Sequence, residues 1–243
     1  TYIVSFLPVV LYSESLVFNQ LFKVSESLNV SDNTAVIIIA AVIGAVGILY
    51  LFIGGLSLSA YSDTLYGISL IFGGLLVTVL AFKYLGDESY LHGFDHIVKE
   101  TPKKLNGWGA VDSTIVPWPI LMFGMFFNNL FFWCTNQMIV QKALAAKILK
   151  EAQKGAIYLS IFKIFSALFL LLPGIIVFNI FHGDVWSTAD NAYPMLINTL
   201  LPEWALGIFG TIIFGVILSS FVGALNSTVT LFSLDFYKSF INK

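Results

Sequence analysis

The chain has 243 residues, of which 58% are hydrophobic, 16% aromatic and only 11% charged, and its mean hydropathy is +0.88. Soluble domains carry about 25% charged residues, so this composition excludes a disordered chain and an ordinary soluble enzyme. The net charge of −2 implies no strong field for nucleic acid, and the single cysteine, Cys134, gives no indication of a disulfide framework or a thiolate metal cluster. A polytopic membrane protein is the class that remains.

Six long stretches with few or no charges predict six transmembrane helices, because a span needs about 20 mostly apolar residues. The chain begins without Met and without a basic segment, so we expect it to begin inside a helix rather than with a signal peptide. Gly54 and Gly55 divide the second stretch into a helix and a tight connection. No stretch alternates apolar and polar residues, so strands are not expected. In chain order, the predicted spans are 2–28, 33–62, 64–82, 113–141, 164–183 and 205–234.

The charges of the connections predict the orientation of the spans, because an excess of lysine marks the cytoplasmic side. The connection 142–154 holds four lysines against one glutamate, whereas 184–203 holds three acidic residues and no lysine. We therefore place 142–154, 54–62 and the C-terminal tail inside the cell. The connections 29–33, 83–117 and 184–203 are placed outside.

Several connections contain predicted surface helices. The segment 142–154 places lysines on one helical face and apolar residues on another, which predicts a short helix at the inner leaflet. The segments 83–117 and 190–202 are expected to form short helices on the outer face. No repeat of fixed period and no low-complexity linker divides the chain, so we predict one transmembrane domain over 1–243.

Polar side chains are concentrated in the span 113–141. Asn129, Trp133, Asn136 and Gln137 follow the spacing i, i+4, i+7 and i+8, so a continuous helix would place them on one face. Such a face can form a substrate wall, in which amides bind hydroxyl groups and aromatic rings cover an apolar side of the ligand. The alternative is hydrogen bonding between helices, worth about 0.6 kcal/mol a bond in membranes.

Three charged side chains lie within or beside predicted spans, where a charge needs a partner or a function. Lys163, about 13 Å past Lys154 along a helix, is either a snorkelling side chain or a cationic donor in a polar cavity. Asp63 follows the tight connection, where capping of a helix N-terminus explains it without a ligand. Glu14 is explained if the first span ends early.

The last span carries small and hydroxyl-bearing residues. Gly215, Ser219 and Gly223 recur at i, i+4 and i+8, a spacing typical of closely packed membrane helices. The adjacent hydroxyls of Ser219 and Ser220 also suit Na⁺, a hard cation that binds oxygen ligands. Spacing alone leaves both interpretations open.

Enzymatic chemistry has little support in this sequence. His92, His96 and His182 all lie in or beside predicted outer loops. The chain has no zinc-protease, nucleophile-elbow or phosphate-loop motif, and no second aspartate in the spans to pair with Asp63. We therefore predict that the protein is not an enzyme.

Three segments together resemble the sodium–solute symporter family, in its sodium/glucose cotransporter branch, and within it the bacterial galactose transporter. They are IGGLSLSAYSDTLYG (53–67), FFWCTNQMIVQKALAAKILKEAQKGA (131–156) and SSFVGALNSTVTLFSLDFYK (219–238), in the family's order and spacing. The resemblance implies an all-α polytopic membrane protein from the middle of an inverted-repeat (LeuT-type) transporter core. Repeat one would end within about 1–84, repeat two would start within about 113–243, and further helices would precede residue 1 and follow residue 243.

The resemblance also implies ligand-binding residues. Na⁺ would contact the hydroxyls of Ser219 and Ser220 and the backbone carbonyl of Val216, and Asp63 matches an aspartate near the sodium exit route. Phe132 stands where the galactose transporter has a gating tyrosine, so the ring is kept and the hydroxyl is lost. The implied substrate residues are Asn129, Phe132, Trp133 and Lys163.

The function implied by the resemblance is sodium-coupled symport of a small polar solute, a sugar or polyol, by alternating access. The expected partners are Na⁺ as coupling ion, the small-molecule substrate and the lipid bilayer, with no nucleic acid and no other cofactor. The expected location is the plasma membrane, or the inner membrane of a bacterium. A sodium symporter for an organic anion or amino acid, which Lys163 would suit, and a non-transporting remnant remain as alternatives.

Overall fold

The computed structural model describes residues 5–107, 117–181 and 192–241, and within these ranges the regular elements are all helical. A 3-10 turn at Pro102–Lys104 and π-helical segments at Ile120–Gly124 and Phe232–Ile241 accompany the α-helices. The α-helices are α1 (Leu7–Phe22), α2 (Val24–Leu28), α3 (Asp32–Leu85), α4 (Tyr90–Glu100), α5 (Met125–Cys134), α6 (Gln137–Leu144), α7 (Leu149–Ile180), α8 (Ala192–Leu200) and α9 (Glu203–Leu231).

Three of the described helices are long and apolar enough to cross a membrane, namely α3, α7 and the continuous helix Glu203–Ile241. Helix α3 has 54 residues and contains two of the six predicted spans, 33–62 and 64–82. Helix α1 has 16 residues, fewer than the roughly 20 of a full span. The all-α membrane architecture is confirmed, with a different division into helices.

Helix α3 departs from helical geometry at a single residue, which lies inside the first of these two predicted spans. Gly55 has φ 54° and ψ −152°, a conformation that residues with a Cβ rarely adopt, and helical geometry resumes directly after it. The predicted tight connection 54–62 is therefore wrong in extent, because only Gly55 departs from the helix.

The predicted span 113–141 is interrupted within its described part. Helix α5 ends at Cys134, and Asn136 has an extended conformation in which its Oδ1 accepts a hydrogen bond of 3.0 Å from the Met138 amide. Asparagine is a preferred N-cap, so it begins the new helix α6. The prediction that Asn129, Trp133, Asn136 and Gln137 share one helical face is therefore wrong for the last two residues. Asn129 and Trp133 lie on α5, whereas Asn136 and Gln137 begin α6.

The predicted surface helix 142–154 is also wrong. Its first residues complete α6, residues 145–148 are not helical, and its last residues begin α7. By contrast, α4 confirms a short helix within 83–117, and α8 confirms one within 190–202 for the described part of each segment.

The described residues fall into two compact units, of which one contains 1–74 and 188–243. Its core joins α3 to α9, and Gly47 lies where an added Cβ would be 2.6 Å from the Phe221 ring. The absence of a side chain at Gly47 therefore permits close approach of the two helices. The buried core residues are Ile39, Ile43, Ile217, Leu218, Phe221 and Val222.

The other unit contains 75–187, and hydrogen bonds join its helices. Thr78 Oγ1 donates to the Leu168 carbonyl at 3.1 Å, which links α3 to α7. The amide of buried Asn179 donates to Thr101 Oγ1 at 3.1 Å, linking α7 to the end of α4. The predicted boundary between repeats, near 84 and 113, stays a prediction, because compactness does not report repeat symmetry.

Large apolar side chains cover much of the described surface. Phe52 is 89% exposed, Ile53 80% and Ile164 76%. An exposed apolar area of this kind marks a contact with lipid or protein rather than with water. It agrees with the membrane architecture, in which lipid tails solvate the outer faces of the helices.

Candidate functional site

The unit 75–187 brings together polar and aromatic side chains on α5. Trp133 Nε1 donates to Asn129 Oδ1 at 3.2 Å, one helical turn away, and Asn129 Nδ2 donates to the Met125 carbonyl at 2.8 Å. The ring of Phe132 meets that of Trp133 edge to face, with centroids 5.2 Å apart. These contacts hold the Trp133 indole in a defined orientation.

Lys163 extends this group from helix α7. Its Nζ lies 4.2 Å from the centroid of the Trp133 ring, a cation–π contact. All four predicted substrate residues therefore lie in one cluster, in which Trp133 touches each of the other three. The sequence placed Asn129 and Trp133 on one face, whereas the position of Lys163 against Trp133 depends on how α7 packs on α5.

An open groove of about 560 Å³ runs along the same helical segment, and Asn129 contributes to its wall. The remaining lining is apolar, so a ligand there would find one polar group beside apolar surface. Phe132, Trp133 and Lys163 are not among its lining residues, which are Leu121, Met122, Met125, Phe126, Asn129 and Leu130.

The predicted sodium ligands lie in the unit formed by 1–74 and 188–243, within one turn of α9. Ser220 Oγ donates to the Val216 carbonyl at 3.0 Å, so two of the predicted ligand oxygens are adjacent. Ser219 Oγ donates instead to the Asp63 carboxylate of α3. A hydroxyl that donates its hydrogen to a carboxylate keeps its lone pairs, which can bind a cation.

Asp63 is half-buried inside α3 and does not cap a helix N-terminus, because the helix resumes after Gly55 and Asp63 lies eight residues further on. The capping interpretation is therefore wrong. The hydrogen bond from Ser219 joins positions 156 residues apart in the sequence. Close packing of the two helices explains how they meet, since a Cβ at Gly215 would overlap the Tyr66 ring.

Two tyrosines near this cluster were missed by sequence reasoning. Tyr50 and Ser62 share a hydrogen bond in which either hydroxyl can be the donor, and Tyr50 OH also lies 3.3 Å from the Leu58 carbonyl. Tyr66 packs against Gly215, as described above. A tyrosine in an apolar span is a signal that its hydroxyl needs a partner, but the sequence does not identify that partner.

Comparison with known proteins agrees with the resemblance of the three sequence segments. The family model described as the sodium:solute symporter family matches residues 2–243. The chain is 42% identical over 240 residues to an uncharacterized symporter, YidK, of Escherichia coli (99% of this chain, 42% of that protein). It is 30% identical over 215 residues to a sodium/glucose cotransporter of Vibrio parahaemolyticus (80% and 39%), and 27% identical over 226 residues to the sodium/myo-inositol cotransporter 2 of Rattus norvegicus (81% and 34%).

The chain spans about two fifths of the length of the first two of these relatives. The family match covers nearly every residue of the chain itself, and its described helices are apolar and long enough for a multi-pass membrane protein. The chain belongs to the sodium:solute symporter family.

Proposed function

We propose that the protein containing this chain couples the inward movement of Na⁺ to the uptake of a small neutral polar solute, a sugar or a polyol, across the plasma membrane or a bacterial inner membrane. Family membership supports the symport, and the cluster of Asn129, Trp133 and Lys163 supports the solute class. An amide and an ammonium donate hydrogen bonds to hydroxyl groups, and an indole ring covers the apolar face of a sugar.

The contact of Lys163 with Trp133 favours a neutral solute over an organic anion. The indole face attracts the ammonium, so part of the positive charge is already stabilised by the protein. Two of the named relatives, the glucose and the myo-inositol cotransporters, are named for neutral polyhydroxylated solutes.

Ser219, Ser220 and Val216 supply the oxygens for Na⁺ in this proposal, and Asp63 lies on its release route. Coupling requires that Na⁺ and solute each bind the outward-open and inward-open states with different affinity. One elementary charge moving through 100 mV supplies about 2.3 kcal/mol, so inward Na⁺ flow can drive uphill uptake.

Transport by proteoliposomes that contain the purified protein tests this function. Labelled glucose, galactose and myo-inositol, and for comparison a labelled amino acid and organic anion, are offered with an inward sodium gradient or with choline in place of sodium. We expect accumulation of at least one of these solutes with sodium and none above the protein-free background with choline. Uptake that is identical in choline would contradict sodium coupling. Sodium-driven uptake of an amino acid or organic anion alone would contradict the solute class.

A further inference from the structure

Two exposed histidines lie one turn apart on helix α4, in the unit 75–187. They are His92 and His96, and the sodium and solute sites proposed above use neither of them. Among the described residues, neither imidazole has a hydrogen-bond or ion-pair partner. The nitrogens of both rings are therefore open to a ligand from solution.

The spacing of the two histidines suits a single metal ion. Residues four positions apart share one face of a helix, with Cβ atoms about 5–6 Å from each other. A zinc ion binds an imidazole nitrogen at about 2.0–2.1 Å, so one ion between the two rings can contact both. Zinc proteases use two helical histidines at this same spacing, with a glutamate base after the first. The segment HGFDH (92–96) has Gly93 at that position, so it keeps the two ligands and lacks the base for hydrolysis.

The rest of the unit holds α4 in the helical conformation that the pair needs. Gly93 and Ile97, which each follow one of the histidines, are buried. A Cβ at Gly93 would overlap the Phe82 carbonyl oxygen, so α4 packs directly on the backbone of α3. At the end of α4, Thr101 Oγ1 accepts the hydrogen bond of 3.1 Å from Asn179 of α7. A metal ion therefore need not order this helix in order to bind, which favours binding.

The acidic side chain between the two histidines is engaged elsewhere. Asp95 forms an ion pair of 3.0 Å with Lys99 on the exposed surface of α4. Within 5–107, 117–181 and 192–241, no third histidine, cysteine, aspartate or glutamate completes a metal-binding group with the pair. Two imidazoles select ions that bind nitrogen well, such as Cu²⁺, Ni²⁺ and Zn²⁺. Mg²⁺ and Ca²⁺ prefer oxygen ligands.

We propose that His92 and His96 form a binding site for a divalent transition-metal ion on the predicted outer face of the protein. Each imidazole supplies one nitrogen, and Cu²⁺ binds most tightly because it has the highest affinity among the first-row divalent ions. A bound ion joins two adjacent turns of α4 and stabilises the folded unit by mass action. The inference is independent of sodium coupling, since no residue of the proposed sodium or solute site takes part.

Calorimetric titration of the purified protein containing this chain, freed of any histidine tag, tests this site. We expect Cu²⁺ to bind more tightly than Zn²⁺, Mg²⁺ not to compete, and the electron paramagnetic resonance of bound Cu²⁺ to report two nitrogen ligands. His92→Ala and His96→Ala should each weaken Cu²⁺ binding by about tenfold or more, because the second contact of a chelate is intramolecular. Cu²⁺ should raise the melting temperature of the wild type more than that of either variant.

Two controls separate the pair from other groups on α4. Asp95→Asn should bind Cu²⁺ like the wild type, because Asp95 is paired with Lys99. The double variant His96→Ala, Val98→His keeps two exposed histidines but places them six positions apart, on different faces of the helix. It should bind as weakly as His96→Ala.

Wild-type Cu²⁺ affinity in His92→Ala, in His96→Ala or in the double variant would overturn the inference, and so would a wild-type protein that does not bind Cu²⁺. A loss in Asp95→Asn as large as that in His96→Ala would also contradict a site made of two histidines. Sodium-driven uptake in metal-free buffer tests the proposed function separately, and His92→Ala should leave it unchanged.

Discussion

The Asn129 side chain has hydrogen-bonding capacity left for a ligand. A side-chain amide offers two hydrogens and two lone pairs. In the structure, Asn129 donates to the Met125 carbonyl and accepts from the Trp133 indole, which leaves one hydrogen and one lone pair. A single solute hydroxyl can use both groups, since it donates and accepts.

We expect Asn129→Ala to weaken apparent solute affinity by about 1–3 kcal/mol, roughly five- to 150-fold, because a solute hydroxyl loses its partner. The sodium concentration for half-maximal uptake should change little. Uptake kinetics in proteoliposomes measure both quantities. Asn128→Ala is the control, since it removes an exposed amide from the adjacent position of the same helix. If both variants behaved like wild type, Asn129 would be a helix-packing residue.

Local and distant residue contacts differ in how far a sequence predicts them. Asn129 and Trp133 are one turn apart on one helix, so helical spacing alone predicts that they meet. Asp63 and Ser219 lie on different helices, and their contact depends on how closely Tyr66 approaches Gly215. Spacing predicted small residues for close packing on α9 but did not identify the helix packed against them.

At the scale of the element, the conformation of Gly55 makes a testable difference between two glycines of α3. An added Cβ would meet no atom within 4 Å at either Gly55 or Gly67, but only Gly55 has positive φ. We expect Gly55→Ala to destabilise the protein by about 1–3 kcal/mol, because alanine is strained in that conformation.

Gly67→Ala is the matched control for this prediction. The position is helical and open, so alanine should be neutral or stabilise by up to about 1 kcal/mol. Thermal unfolding of the two variants in the same detergent gives the comparison. Equal melting temperatures would contradict a special conformation at Gly55.

Apolar composition predicted the long helices, but not where each is interrupted. Asn136 and Ile148 both have extended backbone conformations at the start of a helix, and neither is flanked by glycine or proline. Asparagine is tolerated inside helices and also favoured at N-caps, so its local preference leaves both outcomes open. The packing of α6 and α7 within the folded unit decides between them.

At the scale of the whole molecule, the lysine distribution makes a prediction about sidedness. On a cysteine-free background with Cys134→Ser, Lys150→Cys should react with a membrane-impermeant maleimide only from the cytoplasm. Asn198→Cys, at an exposed position of α8, should react only from outside. Permeabilised cells, in which both should react, provide the control. Labelling of both residues in sealed cells would contradict the predicted orientation.

The exposed apolar side chains, such as Phe52 and Ile53, have a consequence for the heat capacity of unfolding. A large heat-capacity change arises when buried apolar surface becomes hydrated. Helices that separate within a bilayer exchange contacts with each other for contacts with lipid tails, so little apolar surface meets water. We therefore expect the free energy of unfolding in lipid to vary almost linearly with temperature, without the low-temperature loss of stability seen in water-soluble domains.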